Sequence, residues 1–336
     1  MGFAVRVSGP VRQRRTGLQD LIEETSARRG IRHRCGHALR ASMHQRIMIT
    51  TFLVVAVGVL VAIEANEAHA EAATSWPALA SGALQDNSFL IEEAYNQEAG
   101  VVQHIFSITN DEDTGDWTGN FTQEWPVPDQ RHQLSFTLPF TFADEPGETS
   151  GIGDLLLNYR YQLLTEQGHR PAVAPRLSLI LPSGDYHRDL GTGSVGLQFS
   201  LPVSRQFNNF FAGHLNLGTT IIPAARVAGE AGRTEQLISG NGGASLIWEP
   251  VDAVNFLAEF VVSRDGEVAD SGVVHRTHAT FNPGTRIAWN LPASVQVVAG
   301  VSAPIGLTSD TSDFGVLLYL SVEHAFTSAA SADRQW

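Results

Sequence analysis

The sequence predicts an all-β fold, an antiparallel up-and-down barrel that spans a membrane with about twelve strands, ten or fourteen being the alternatives. A short N-terminal segment precedes it, at the periplasmic mouth or folded inward as a partial plug. Three observations carry this. Apolar residues recur with period two, the alternating runs are long, and long and short gaps between them take turns along the chain.

The alternation is plainest in four stretches. His132, Leu134, Phe136, Leu138 and Phe140 share one face, with Gln133, Ser135 and Thr137 on the other. Leu155, Leu157, Tyr159 and Tyr161 alternate with Asn158 and Arg160. Val195 to Val203 and Val254 to Val262 repeat the pattern. A soluble sandwich would put the apolar face on a core, and a membrane barrel would put it on lipid, with the polar face toward a lumen. Length separates the two, because soluble strands cluster near roughly 5–6 residues and spanning strands need roughly 9–11.

Twelve runs are expected: 101–109, 117–126, 131–140, 151–163, 172–182, 193–203, 208–219, 237–248, 253–263, 276–289, 294–304 and 314–326. The odd-numbered gaps are the longer ones, with 164–171 as the mild exception, and a barrel with short periplasmic turns and longer external loops has that pattern. An even strand count places both barrel termini in the periplasm. Pro175 and Pro283 fall inside expected strands, where a missing N–H is poorly tolerated. Trp76, Trp117, Trp125, Trp248 and Trp289 mostly fall near strand ends, as an interfacial aromatic girdle would. The last run ends on Phe326, resembling the terminal strand read by the barrel-assembly machinery.

Composition agrees. Every one of the 22 basic residues is Arg, and ten of them precede Ala70. The remaining 12 stand against 30 of the 35 acidic residues, a formal charge of 12 − 30 = −18, which makes nucleic acid an improbable partner. The single cysteine, Cys35, lies in the Arg-rich leader, so the body has no disulfide framework or thiolate metal site. Met43 to Arg46, the uncharged run Ile47 to Ile63 and the Ala68-His69-Ala70 site read as a signal peptide over 43–70, against an uncleaved membrane anchor as the alternative. Residues 1–42 read as an upstream extension beyond the native start. The pairs Arg14-Arg15 and Arg28-Arg29 lie too far from the apolar run for a twin-arginine signal. Residues 71–100 form the periplasmic N-terminal segment, with Phe89 to Tyr95 a short helix candidate. Residues 101–326 form the barrel and 327–336 a tail.

Three blocks resemble a known family. They are Asp86 to His104, Gly151 to Gln162 and Ala174 to Gly184, in order along the chain. They are similar to outer-membrane transporters named for the meta-cleavage pathway of phenol degradation. The resemblance implies a barrel over roughly Asp86 to Phe326 and uptake of aromatic or other hydrophobic compounds. It brings no catalytic residues and no cofactor.

On the inward phase the pore-lining candidates are Asp154, Asn158, Arg160, Arg176, Gln198, Asn255, Glu259 and Arg286. A ring of mixed charges could set selectivity, or paired ions could fill a narrow lumen. The acidic loop Asp111 to Asp116 has oxygen ligands for Ca²⁺ but lacks the calcium-loop spacing, and no metal is assigned. Asp185, His187 and Asp189 resemble the rim acids and histidine of membrane proteases but offer no complete partner set. The expected protein is therefore no enzyme. It is an outer-membrane channel or transporter for small hydrophobic or aromatic solutes, with outer-membrane lipid around it and no assigned oligomeric state. The alternative is a structural or adhesive barrel with a blocked lumen, acting through its external loops.

Overall fold

In a computed structural model of the chain, the described residues are 86–325, apart from 145–148, 231, 252, 270, 271, 293 and 294. The leader, Cys35, Trp76, Phe326 and the tail lie outside them.

Fifteen strands follow one another: β1 (Val101–Asp111), β2 (Trp117–Pro126), β3 (His132–Phe142), β4 (Gly151–Ile152), β5 (Leu155–Tyr161), β6 (Ala172–Val173), β7 (Arg176–Leu181), β8 (Gly196–Asn208), β9 (Phe211–Arg226), β10 (Thr234–Val251), β11 (Val254–Ala269), β12 (Gly272–Leu291), β13 (Val295–Ser302), β14 (Ile305–Gly306) and β15 (Gly315–Ala325). Twelve of them pair antiparallel with their neighbours, and β11 pairs with β12 and β1 with β15 to close the ring. The two-residue strands β4, β6 and β14 lie off it as short ladders on β3, β8 and β12. Each of the twelve expected runs overlaps one strand of the ring.

Closure satisfies every strand edge, which lets β-structure sit in lipid. The outward phase is apolar and open. Leu157, Leu179, Leu197 and Ile221 stand side by side across four strands, and all are exposed. The next outward row holds Tyr159, Leu177 and Phe199. The inward phase of the same strands is polar and buried, with Asn158, Ser178, Gln198 and Thr220 in register. Inversion of the soluble pattern, apolar side out and polar side in, makes this a membrane barrel and locates it in the outer membrane.

Trp248 and Trp289 are exposed near the ends of β10 and β12, and Trp125 lies at the end of β2, all toward the rim where the barrel begins and ends. These three form part of the expected girdle. At that rim β8 passes to β9 through 209–210 and β10 to β11 through 252–253.

The wall is uneven. β10 and β12 run 18 and 20 residues, far beyond a spanning length, whereas β5 and β7 hold 7 and 6. Prolines explain the low side. Pro139, Pro175 and Pro202 have no N–H to give the ladder. The β3–β5 pairing stops at Thr137 opposite Leu156 and resumes beyond Pro139 as β3–β4. The β7–β8 pairing stops at Arg176 opposite Ser200 and resumes beyond Pro202 as β6–β8. Pro175 thus sits in a break, as its chemistry requires, while Pro283 is accommodated inside β12 opposite Ala258.

The gap pattern needs correction. Strands β9 to β12 run on past the lipid-facing zone, so the longest expected gap, 220–236, shrinks to 227–233, and β11 is followed by β12 with only 270 and 271 between them. Propensity alone could not show this, because the extended ends carry the same Thr, Val and Ile content as the spanning part. On the low side the exceptional gap expected at 164–171 lengthens to 162–175, with the two-residue β6 inside it, for the proline reason above.

Candidate functional site: the lumen and the segment inside it

The helix expected at Phe89 to Tyr95 does not form. Residues 86–98 run without helix or strand, and most of their side chains are buried. Their backbone donors explain why. The N–H groups of Leu90 and Ile91 both go to Glu259 Oε1, at 2.9 and 3.0 Å. Glu92 N–H goes to Asn216, Ala94 N–H to Ser204, Asn96 N–H to Gln162 and Gln97 N–H to Gln133, at 2.7 to 3.0 Å. Amide donors that wall side chains satisfy have no need of a helical ladder.

Those partners identify the location. Asp86 accepts from Gln103 of β1 and Tyr319 of β15. Arg286 of β12 donates to the carbonyls of Asp86 and Asn87. Ser88 meets Ser245 of β10, and Arg160 of β5 and Arg176 of β7 meet Glu92. A stretch this short that touches strands on all sides of a closed ring lies within the lumen. It joins the wall through a turn at Ala99–Gly100, where Gly100 has φ 81°.

One side of the lumen holds the segment by charge. Across β3, β5, β7 and β8 the register aligns Gln133, Arg160, Arg176 and Ser200 on one inward row. Arg160 Nη1 lies 3.1 Å from Glu92 Oε1, and Arg176 Nε lies 3.2 Å from Glu92 Oε2. Arg160 also donates to the carbonyls of Glu93 and Tyr95 and to Asn96 Oδ1. All three charged side chains are buried, so each needs its partner. His214 of β9 faces Glu93 at 3.5 Å, and Arg286 approaches the same carboxylate at 3.8 Å.

The other side holds the segment by shape. Phe89 and Ile91 are fully buried. Phe89 stacks obliquely on Tyr319 with ring centroids 5.4 Å apart and packs with Ile105, Val298 and Leu317. Gly284 and Gly300 make room for its ring. A methyl group added at Gly284 would lie 2.5 Å from the ring, and one at Gly300 would collide with it. Gly243 does the same for Ile91, at 2.5 Å from Cδ1.

Of the candidate pore residues, the structure brings Arg160, Arg176, Glu259 and Arg286 onto the segment itself. Asn158 and Gln198 stand behind them. Gln198 accepts from Arg176 at 3.1 Å and donates to Thr220 at 3.0 Å, and Asn158 Oδ1 is 3.5 Å from Arg176 Nη1. Asn255 lies opposite Arg286 across the β11–β12 ladder. Asp154 does something else: it sits in the break between β4 and β5 and accepts from the N–H groups of Gly184 and Thr192 and from the Thr192 hydroxyl. It fastens the β7–β8 connection.

Sequence reasoning missed Gln133, Ser204, His214, Asn216 and Ser245. All lie on the inward phase of their strands, so the period-two rule could have found them. The three glycines of the socket carry no such signal.

The other candidate motifs serve local structure. Asp111 Oδ1 accepts from the N–H groups of Asp113 and Thr114, and Asp116 Oδ1 from that of Asp144, so these carboxylates tie the external loops together. Among the described residues no group of three or more His, Cys, Asp and Glu side chains is arranged to hold a metal. Asp185 caps the 3-10 turn at Tyr186–Arg188 by accepting from His187 N–H.

Residues 83–225 match the family described as "Putative MetA-pathway of phenol degradation". The resemblance read from the three sequence blocks holds. All three lie inside that match, which takes in the luminal segment and the wall through β8 and most of β9 and stops there. An outer membrane channel from Pseudomonas putida F1 has the same fold, with a TM-score of 0.51 at 12% identity, over 69% of this chain and 98% of that one. A NanC porin aligns over 67% of this chain and 99% of its own, with 6% identity and a TM-score of 0.44. No curated protein matches in sequence.

Proposed function

We propose that this protein is an outer-membrane channel for small solutes, closed here by its own N-terminal segment. The observation that carries the reading is that segment. It fills a polar lumen, yet belongs to no strand and is tethered to the wall by one turn, so it can withdraw without breaking the ring. The family description, which names phenol degradation, favours aromatic or other hydrophobic compounds as the cargo. On this reading the residues around the segment line the pore once it has left. Residues 43–70 then act as the export signal and the barrel-assembly machinery inserts the chain.

Reconstitution in planar bilayers tests the proposal. The full-length chain should conduct in brief openings, and a chain lacking 86–97 should conduct steadily. Flux of phenol or benzoate into proteoliposomes should exceed that into empty ones. No conductance from either chain, with the barrel shown to be folded by its shifted migration on unboiled gels, would overturn the reading.

The same segment favours a second reading, a barrel with a permanently blocked lumen that works through its external loops. The two part on the deletion. A blocked barrel needs the segment for stability and would unfold without it, while a channel keeps its ring and opens.

A further inference from the structure

The clamp on Glu92 has a feature that plug retention alone does not require. Arg160 and Arg176 are neighbours in register on adjacent strands, and both point into the lumen. Their side chains are held by wall groups as well as by the segment. Gln133 Oε1 accepts from Arg160 at 2.9 Å, and Gln198 Oε1 accepts from Arg176 at 3.1 Å. The two guanidinium groups are thus set in place by the barrel, one for each oxygen of a single carboxylate. Among the described wall residues, Glu124 is their anionic neighbour, with its Oε2 3.9 Å from Arg160 Nη2, and it also accepts from Gln133 at 2.6 Å. Two cations against one anion leave a net positive charge on this part of the wall when Glu92 departs, and that charge attracts an anion from the lumen.

We propose that Arg160 and Arg176 form a carboxylate-binding site in the lumen, that Glu92 occupies it as an internal mimic while the segment is in place, and that an organic carboxylate takes it when the segment leaves. The site stands on the geometry. Its use by a transported solute rests on the channel reading above. Such a solute would compete directly with Glu92, so the ligand itself would favour withdrawal of the segment. Two guanidinium cations, one within ion-pair distance of each carboxylate oxygen, suit this ligand better than a neutral amide or a lone halide.

The test uses the full-length protein in detergent, with folding checked by migration of the unboiled sample. Glu92→Ala removes the mimic and leaves its space. Limited proteolysis should then cut within 86–97 faster than in the parent. Acetate should slow the cutting again, while acetamide, and chloride at equal ionic strength, should not. The double variant Glu92→Ala/Arg176→Gln should lose the acetate effect. In bilayers, benzoate should block or permeate the Glu92→Ala channel at a concentration about tenfold below that of benzamide, the factor that one charge-assisted hydrogen bond supplies at the low end of its range.

Equal effects of acetate, acetamide and chloride would overturn the site, as would an acetate effect that survives Arg176→Gln. The two proposals fail separately. A Glu92→Ala channel that conducts without preferring benzoate sinks the carboxylate site and leaves the channel. Acetate rescue in a protein that never conducts keeps the site and sinks the channel.

Discussion

The two sides of the lumen grip one segment by different physics. The β3–β9 side uses buried charge and amide side chains, with Arg160 and Arg176 on Glu92 and Asn216, Ser204 and Gln162 on backbone amides. The β10–β15 side uses shape, with the space above Gly243, Gly284 and Gly300 filled by Ile91 and Phe89. Glu259 and Arg286 add polar contacts there to the backbone of the segment, and Arg286 also approaches the Glu93 carboxylate at 3.8 Å. The family match covers the segment and most of the charged side and ends before the socket. The contrast teaches that a plug can be latched in two independent ways. Charge fixes which residue sits where, whereas the socket fixes the segment by close packing.

Separate removal of each grip should show this. The largest effect is expected from deleting 86–97, which should turn intermittent conductance into steady conductance while the ring stays heat-modifiable on gels. An unchanged conductance would mean that the segment does not obstruct the path. Next comes Arg160→Gln. Breaking a buried ion pair typically costs about 3–5 kcal/mol, so hydrogen exchange of the Leu90 to Gln97 amides should accelerate strongly. Unchanged protection would move the weight of the latch to the socket.

Gly300→Val should cost about 1–3 kcal/mol through overpacking against Phe89. Combining it with Phe89→Ala should recover part of that loss, because the two changes meet at one contact. Simple addition of the two costs, read from the exchange of the same amides, would argue that the ring does not occupy this socket. The smallest effect belongs to Ser88→Ala. It removes the 2.9 Å contact with Ser245 and leaves one buried hydroxyl without its partner, at a cost of about 1 kcal/mol. A loss as large as that of Arg160→Gln would show that the Ser88–Ser245 contact, not the charge clamp, governs release. If charge and shape are independent grips, Arg160→Gln and Gly300→Val should add in the doubly substituted protein.

Much of this was legible in the sequence for a physical reason. A membrane barrel has two chemically opposite faces, so period-two alternation fixes strand existence and which side chains point inward. Arg160, Arg176, Gln198, Glu259 and Arg286 were all found in this way. Strand ends were harder, because β9 to β12 continue beyond the lipid with the same residue types. Asp154 keeps the buried phase of Asn158 and Arg160 but precedes β5, in the break at Gly153–Asp154 beside Pro139 of the neighbouring strand, where it bonds the β7–β8 connection instead of the segment.

The sequence by itself determined the barrel, its strand number, its polar interior and its family likeness, since each is written in local alternation or in contiguous blocks. Only the tertiary structure decided what Asp86 to Gln97 do. Locally, Phe89 to Tyr95 reads as a helix. Inside the ring, its amides meet Glu259, Asn216, Ser204, Gln162 and Gln133, drawn from strands far away in sequence, and its Phe89 meets glycines whose value lies in the side chain they lack. Partners of that kind exist only once the sheet has closed, so no local pattern could announce them.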